Sequence, residues 1–135
     1  MFTGCGDTVY AWRRGTELKH VYKDDEDSAD VRHILPFGPS LVTVDAKGWL
    51  RVWDIKSCDL LKKVRFAEPD AFEVTALCHP LTYKDKVLLG SRQGPLKLYN
   101  LKTEKQIYRF KGESRRTSCC CTLCCDISST FFKGL

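Results

Sequence analysis

Long hydrophobic runs are missing from this sequence. No apolar stretch approaches the roughly 18–20 residues that a helix needs to cross a bilayer, which excludes a spanning helix. The first residues also lack the basic stretch and apolar run of a secretory signal, so we do not expect a secreted protein. With 135 residues, 43% of them apolar and 29% charged, the composition predicts one modest soluble domain.

Motifs of catalysis and of cofactor binding are equally scarce. The chain has no Gly-x-Ser-x-Gly elbow and no phosphate-binding glycine loop. His20, His33 and His79 have no Cys, Asp or Glu partner at metal-ligand spacing, and isolated histidines of this kind are more often structural. We therefore expect no catalytic residue, no cofactor and no metal site, and we predict that the protein is not an enzyme.

The eight cysteines are distributed unevenly. Cys5, Cys58 and Cys78 are scattered, whereas the other five fall within seven residues: Cys119, Cys120, Cys121, Cys124 and Cys125. A disulfide framework would be spread through the chain, so a reducing compartment is favoured. The clustered cysteines have no second ligand pair further along, which favours a disordered cysteine-rich tail over a zinc site, with palmitoylation as a further alternative.

An internal repeat organises the rest of the chain. Three stretches alternate apolar and polar residues and end in an aromatic residue followed by a polar one: Trp12-Arg13, Trp53-Asp54 and Tyr99-Asn100. The aromatics are 41 and then 46 residues apart, and strand-like runs with glycine turns surround each copy. Four short strands per unit at this period are typical of a WD-type β-propeller blade. The sequence therefore predicts an all-β partial propeller of about two and a half four-stranded antiparallel blades.

The copies define the expected domain organisation. We predict a propeller fragment over residues 1–112, with a partial blade at 4–23 and complete blades at 31–67 and 73–111. Residues 113–135 continue no strand pattern and are expected to form the disordered tail. Because closed propellers have four to eight blades, the chain is expected to be a piece of a longer protein and to be unstable alone.

Two polar features of the usual WD blade are absent here. Lys47 and Gln93 replace the acidic residue before the turn glycine, and the segment 24–30, which is mostly acidic, replaces the usual Gly-His entry. We therefore expect the buried polar network of the blade to be missing, so that aromatic and aliphatic packing holds the blades together. The acidic segment is expected to be a solvated loop.

One stretch is more specific than the repeat. It contains His79-Pro80-Leu81-Thr82-Tyr83 and then Leu88-Leu89-Gly90-Ser91-Arg92-Gln93-Gly94. This stretch resembles one WD-repeat family, the U3 small nucleolar RNA-associated protein 21 type. Residues 35–48 are similar to the corresponding part of the same family, and the resemblance covers about residues 4–112.

The resemblance implies a function that composition alone does not. It implies a non-catalytic scaffold in the small-subunit processome, a nucleolar role in 18S ribosomal RNA maturation, and no membrane association. The implied partners are other processome proteins and, directly or indirectly, the U3 ribonucleoprotein and pre-ribosomal RNA. A WD-repeat adaptor of another complex and a metal-binding protein that acts through its cysteine tail stay open as alternatives.

Basic residues suggest where such a partner could bind. The net charge is +5, and cations outnumber anions between residues 84 and 116. The candidate contacts to RNA or another partner are Lys84, Lys86, Arg92, Lys97 and Lys102. A solvated strand surface explains the same charges, and is the favoured interpretation. The WD-signature residues Trp12, Trp53, Asp54, Tyr99 and Asn100 are expected to be structural.

Overall fold

Strands are the only regular elements in the described part of the chain. The computed structural model describes residues 1–27, 29–66, 72–80 and 85–111. These residues form eleven β-strands, which confirms the all-β prediction, and they include no helix that could span a membrane. The chain divides into two compact units, Met1–Asp70 and Ala71–Leu135.

The first unit contains two antiparallel sheets. The first sheet has the order β1-β2-β3, and the second has the order β4-β5-β6-β7. Their strands are β1 (Phe2–Cys5), β2 (Thr8–Arg13), β3 (Glu17–Tyr22), β4 (Val31–Phe37), β5 (Ser40–Asp45), β6 (Trp49–Asp54) and β7 (Leu60–Arg65). Within each sheet, every strand pairs with the next strand along the chain, so each sheet is a meander of short hairpins.

The second unit contains one antiparallel sheet, the third sheet, with the order β11-β10-β9-β8. Its strands are β8 (Val74–Cys78), β9 (Lys86–Ser91), β10 (Leu96–Asn100) and β11 (Lys105–Phe110). The division of the chain into blades at the predicted residue numbers stays a prediction. The predicted disordered tail, 113–135, lies outside the described residues.

The same irregularity recurs at the end of all three repeats. A β-bulge falls directly before Trp12, Trp53 and Tyr99, where each strand pairs with the following one. A bulge inserts one unpaired residue and bends the strand. The three aromatics therefore occupy equivalent places in their sheets.

A shared core joins the two sheets of the first unit. Val9, Ala11 and Tyr22 of the first sheet pack against Leu41 and Trp53 of the second, and all five are buried. The rings of Tyr22 and Trp53 meet edge to face with centroids 6.0 Å apart, a favourable geometry for two aromatic rings. The Tyr22 hydroxyl donates a hydrogen bond to the Ile55 carbonyl at 3.0 Å. Burial, together with the neighbouring Cys58, raises the pKa of Tyr22 to about 12.

The third sheet has its own core. Ala76, Cys78, Leu88, Leu96 and Leu98 form a buried cluster, and Phe110 packs against it. Strand β9 is buried on both faces, and its residues 87–89 are at most 1% exposed. A strand buried on both faces reads as a continuous apolar run, which explains the Val-Leu-Leu sequence there.

Candidate functional site

The tryptophans of the first two repeats form side-chain hydrogen bonds to the preceding strand of their sheet. The Trp53 indole N–H donates to the Thr43 hydroxyl at 3.0 Å, and the Trp12 indole N–H donates to the Thr3 hydroxyl at 2.7 Å. Each threonine pairs with the residue two places before its tryptophan. The sequence reasoning missed both threonines; the available signal was a threonine 9 or 10 residues before each tryptophan, on the preceding strand.

The third repeat lacks this hydrogen bond. Leu89 pairs with Lys97 and therefore stands where the threonine stands in the other sheets. Tyr99 is nevertheless buried, with 4% of its surface exposed. Burial and the nearby Glu104 raise the pKa of its phenol.

The polar residue after each aromatic shapes the following turn. The Asp54 carboxylate accepts hydrogen bonds from the backbone N–H groups of Lys56 and Ser57. Asn100 accepts the same pair of bonds from Lys102 and Thr103. The N–H groups of Ser57 and Lys56 lower the pKa of the Asp54 carboxyl. A side-chain oxygen in this position stabilises a turn, so Asp and Asn perform the same structural task.

A buried ion network lies next to Trp53 in the second sheet. The Arg51 guanidinium contacts the Asp45 carboxylate at 2.6 Å and the Asp24 carboxylate at 2.7 Å. It also donates to the Asp27 carbonyl at 3.1 Å. The Asp45 side chain is fully buried, and that of Arg51 is 5% exposed. Burial opposes the charge on Arg51, but the two carboxylates raise its pKa above the usual value.

Lys63 extends the network toward the surface. Its ammonium lies 2.8 Å from the Asp24 carboxylate and 5.1 Å from the centre of the Trp49 ring. Burial alone would raise the pKa of Asp24. The hydrogen bonds from Lys63, Arg51 and the Glu26 N–H outweigh burial and lower the pKa to about 2. The loop before β4 is therefore held to the second sheet by charge.

This network corrects two predictions. Buried polar bonding is present, although it is built from Asp24, Asp45 and Arg51 rather than from the usual family positions. The acidic segment is not simply solvated, because the Asp24 side chain is only 11% exposed. The available signal was the alternation of β6: Arg51 lies on the same face as Trp49 and Trp53, and a charge on a buried face requires a partner.

The candidate contact residues do not form one patch in the described part of the third sheet. Lys86 pairs with Asn100, which places it near exposed Lys102. Arg92 directly follows Ser91, the last residue of β9, which is about 17 Å from Lys86 at ~3.3 Å per residue. The Arg92 guanidinium lies 3.3 Å from the Glu73 carboxylate. Lys84 lies outside the described residues.

Lys97 is a correction to the predicted contact set. The residue is buried instead of facing solvent, with 5% of its surface exposed. The ammonium lies 4.4 Å from the centre of the Phe72 ring, a cation–π contact. A lysine held in this way does not reach a phosphate at the surface.

The described residues contain no group of three or more His, Cys, Asp or Glu side chains that could hold a metal ion. Cys5, Cys58 and Cys78 form no disulfide with one another, and the Nδ1 atom of His79 lies 2.9 Å from the Lys86 carbonyl oxygen. The five clustered cysteines lie outside the described residues.

The antiparallel sheets repeat along the chain, and each has an aromatic residue directly after a β-bulge near the end of one strand. These features define the class as a WD-repeat β-propeller, present here in part. The family model of the WDR36/Utp21 first β-propeller matches residues 1–127. The chain belongs to this family. The match confirms the family resemblance and extends beyond residue 112, where the motif resemblance ended.

Two curated relatives are similar to the chain over most of its length. Human WD repeat-containing protein 36 is 36% identical over 112 residues, 83% of this chain. The U3 small nucleolar RNA-associated protein 21 homolog of Schizosaccharomyces pombe is 26% identical over 113 residues, 82% of this chain. The aligned part spans 12% of the length of each relative.

Solved structures with a similar fold include computationally designed proteins. The Ika4 protein matches with a TM-score of 0.68 and 21% identity, over 87% of this chain and 70% of its own. The Ika8 protein gives the same score with 20% identity, over 87% of this chain and 35% of its own. At this identity the likeness shows the fold alone.

Proposed function

We propose that this chain is a non-catalytic scaffold piece of a ribosome-biogenesis subunit, which acts in assembly of the small-subunit processome and in 18S ribosomal RNA maturation. Membership of the WDR36/Utp21 family carries the proposal. The name of the fission yeast relative refers to the U3 small nucleolar RNA, which favours a nucleolar site of action. The proposed partners are processome proteins, the U3 ribonucleoprotein and pre-ribosomal RNA.

The chemistry of the repeats supports a scaffold more than a catalyst. Asp54 and Asn100 stabilise turns, Trp12 and Trp53 hydrogen-bond to threonines, and Arg51 is held by two carboxylates. The polar side chains of the signature thus serve the fold. Rigid sheets of this kind present surfaces to other molecules, which is what a scaffold requires.

Exposed apolar residues support a role in protein contacts. Leu61 on β7 is 54% exposed, and Tyr108 on β11 is 50% exposed. Both lie on the last strand of their sheet, where a partner has access. Lys86 and Lys102 stay in the proposal as contacts to RNA or another partner.

Isolation of the tagged chain from cells tests the proposal. We expect co-enrichment of U3 small nucleolar RNA and of 18S precursors, compared with a matched variant in which fully buried Leu50 is replaced by Asp. Lys86→Glu combined with Lys102→Glu should reduce the RNA recovered without changing the fold. If the folded chain recovers neither RNA above the control, the processome assignment is wrong and an adaptor of another complex is favoured.

A further inference from the structure

A small cavity lies where the first and second sheets of the first unit meet. Its volume is about 10 Å³, close to the least that can hold one water molecule. Val9 of the first sheet and Trp53 of the second sheet belong to its lining, and they are 2% and 5% exposed. The cavity is thus part of the joint between the two sheets.

Polar side chains from four segments of the chain line this cavity. They are Asp7 from the turn between β1 and β2, Asp24 from the loop before β4, Thr43 from β5 and Arg51 from β6. Apolar cavities stay dry, whereas a polar cavity of sufficient size holds a water molecule that bonds to the groups around it. The lining is therefore that of a hydrated cavity.

The Thr43 hydroxyl carries a proton that the second sheet does not use. Its oxygen accepts the hydrogen bond from the Trp53 indole N–H at 3.0 Å, which leaves the hydroxyl proton to be donated elsewhere. Thr43 is 2% exposed, and among the described residues no acceptor bonds to this proton. A buried donor without an acceptor is costly, so the proton needs a partner inside the cavity.

Arg51 brings further donors to the same cavity. A guanidinium has five N–H groups. Three of them donate to the Asp24 carboxylate, the Asp45 carboxylate and the Asp27 carbonyl, and the others have no acceptor among the described residues. The Asp7 and Asp24 carboxylates supply acceptor oxygens on the same lining. The cavity thus presents both donors and acceptors to an occupant.

We propose that this cavity binds one water molecule. The water accepts hydrogen bonds from the Thr43 hydroxyl and an Arg51 N–H, and it donates to the carboxylates of Asp7 and Asp24. A cation would be repelled by the guanidinium and an anion by the two carboxylates, so the surrounding charges favour a neutral occupant.

The water has a structural task in this proposal. It connects the first sheet through Asp7 to the second sheet through Thr43, and it adds a contact to the loop that Arg51 already holds. A bridging water is nearly as favourable as a direct hydrogen bond. This inference goes beyond the processome assignment and does not depend on it.

Contact between water and buried methyl groups tests the proposal in the full 135-residue chain. Rotating-frame Overhauser spectra separate direct contact from proton exchange by the sign of the signal. We expect contact between water and the methyl protons of Val9 and Thr43. Val44 is the matched control and should show none, because it is 0% exposed and does not line the cavity.

Substitution of Thr43 tests which group holds the water. Thr43→Val keeps the shape of the side chain but removes the hydroxyl. The residence time of the water, measured by relaxation dispersion of the solvent oxygen nuclei, should become about fivefold shorter because one hydrogen bond is lost. Thr3→Val is the matched variant: Thr3 also accepts a tryptophan N–H, but it does not line the cavity, so the residence time should not change.

Three results would overturn the inference. The first is absence of water contact at Val9 in the folded chain. The second is equal contact at Val9 and Val44, which would mean that water enters the core without a defined site. The third is an equal residence time in Thr43→Val and Thr3→Val. The spectrum of the unsubstituted chain decides the first two, even if Thr43→Val does not fold, and the RNA experiment above is read independently of all three.

Discussion

The second and third sheets share the same backbone geometry at the glycine turn but differ in the polar side chains next to it. In both, the turn glycine donates its N–H to the carbonyl three residues before it, Gly48 to Asp45 and Gly94 to Ser91, at 3.2 Å. Both glycines have positive φ, 81° and 100°, which a residue with a side chain rarely adopts. Yet Asp45 pairs with Arg51 as a buried ion pair, while Ser91 is fully buried with its hydroxyl unbonded among the described residues.

The cation of the next strand shows the same contrast. Arg51 and Lys97 hold equivalent places, but Arg51 is held by carboxylates whereas Lys97 lies on the Phe72 ring. The loop before each sheet thus reaches the cation by a different interaction. The two sheets keep the same backbone geometry, but an ion pair holds the loop in the second sheet and a cation–π contact holds it in the third. The two contacts can be compared by their effect on the free energy of unfolding.

Removal of the Arg51 charge should have the largest effect. Arg51→Met leaves the Asp45 carboxylate buried without its partner, and we expect the free energy of unfolding to fall by about 3–5 kcal/mol. All three tryptophans lie in the first unit, so their fluorescence during urea unfolding reports this change. Lys97→Met is the matched variant, with an expected loss of about 1 kcal/mol by circular dichroism. Equal losses would show that the two loop attachments do not differ in strength.

Acid should weaken the second sheet through Asp24. Its pKa is about 2 in the folded protein and 3.8 in an ordinary aspartate, so the charged form favours folding above pH 4. That stabilisation, about 2 kcal/mol, is lost as the pH falls from about 4 to 2. Asp24→Asn should flatten stability against pH in this window, whereas exposed Asp25→Asn should not. An unchanged slope in Asp24→Asn would contradict the role of the network.

The threonine that binds Trp53 should contribute less. Thr43→Val keeps the shape but leaves a buried indole N–H unbonded, at a cost of about 1–2 kcal/mol in urea unfolding. Thr3→Val in the first sheet should cost less, because Trp12 is only half-buried and water can replace the hydroxyl. A larger loss for Thr3→Val would reverse the inferred order of the two contacts.

Exchange of the turn acceptor should have the smallest effect. Asp54→Asn introduces the residue that the third sheet already uses at Asn100, so the melting temperature should not change measurably. Asp54→Ala removes both backbone hydrogen bonds and should lower it slightly. Differential scanning calorimetry distinguishes the two variants. A clear loss in Asp54→Asn would mean that the negative charge itself matters.

Sequence reasoning succeeded where the signal is local and periodic. Alternation of apolar residues and the turn glycines predicted the strands, and the recurring aromatic predicted equivalent places in the sheets. It failed for Lys97 and Asp24, whose partners are distant in the chain: Phe72 for Lys97, and Arg51 and Lys63 for Asp24. The charge of Lys97 predicted a position at the surface, but the side chain packs against the Phe72 ring and is buried.

The sequence by itself determined the strands, the repeat and the family, because these depend on spacing along the chain. Tertiary structure decided which polar side chains are buried together. Arg51 and Asp24 are 27 positions apart, and their contact exists only because the loop folds back onto the second sheet. Strand propensity is a property of neighbouring residues, whereas burial and ion pairing require surfaces that only the folded chain brings together.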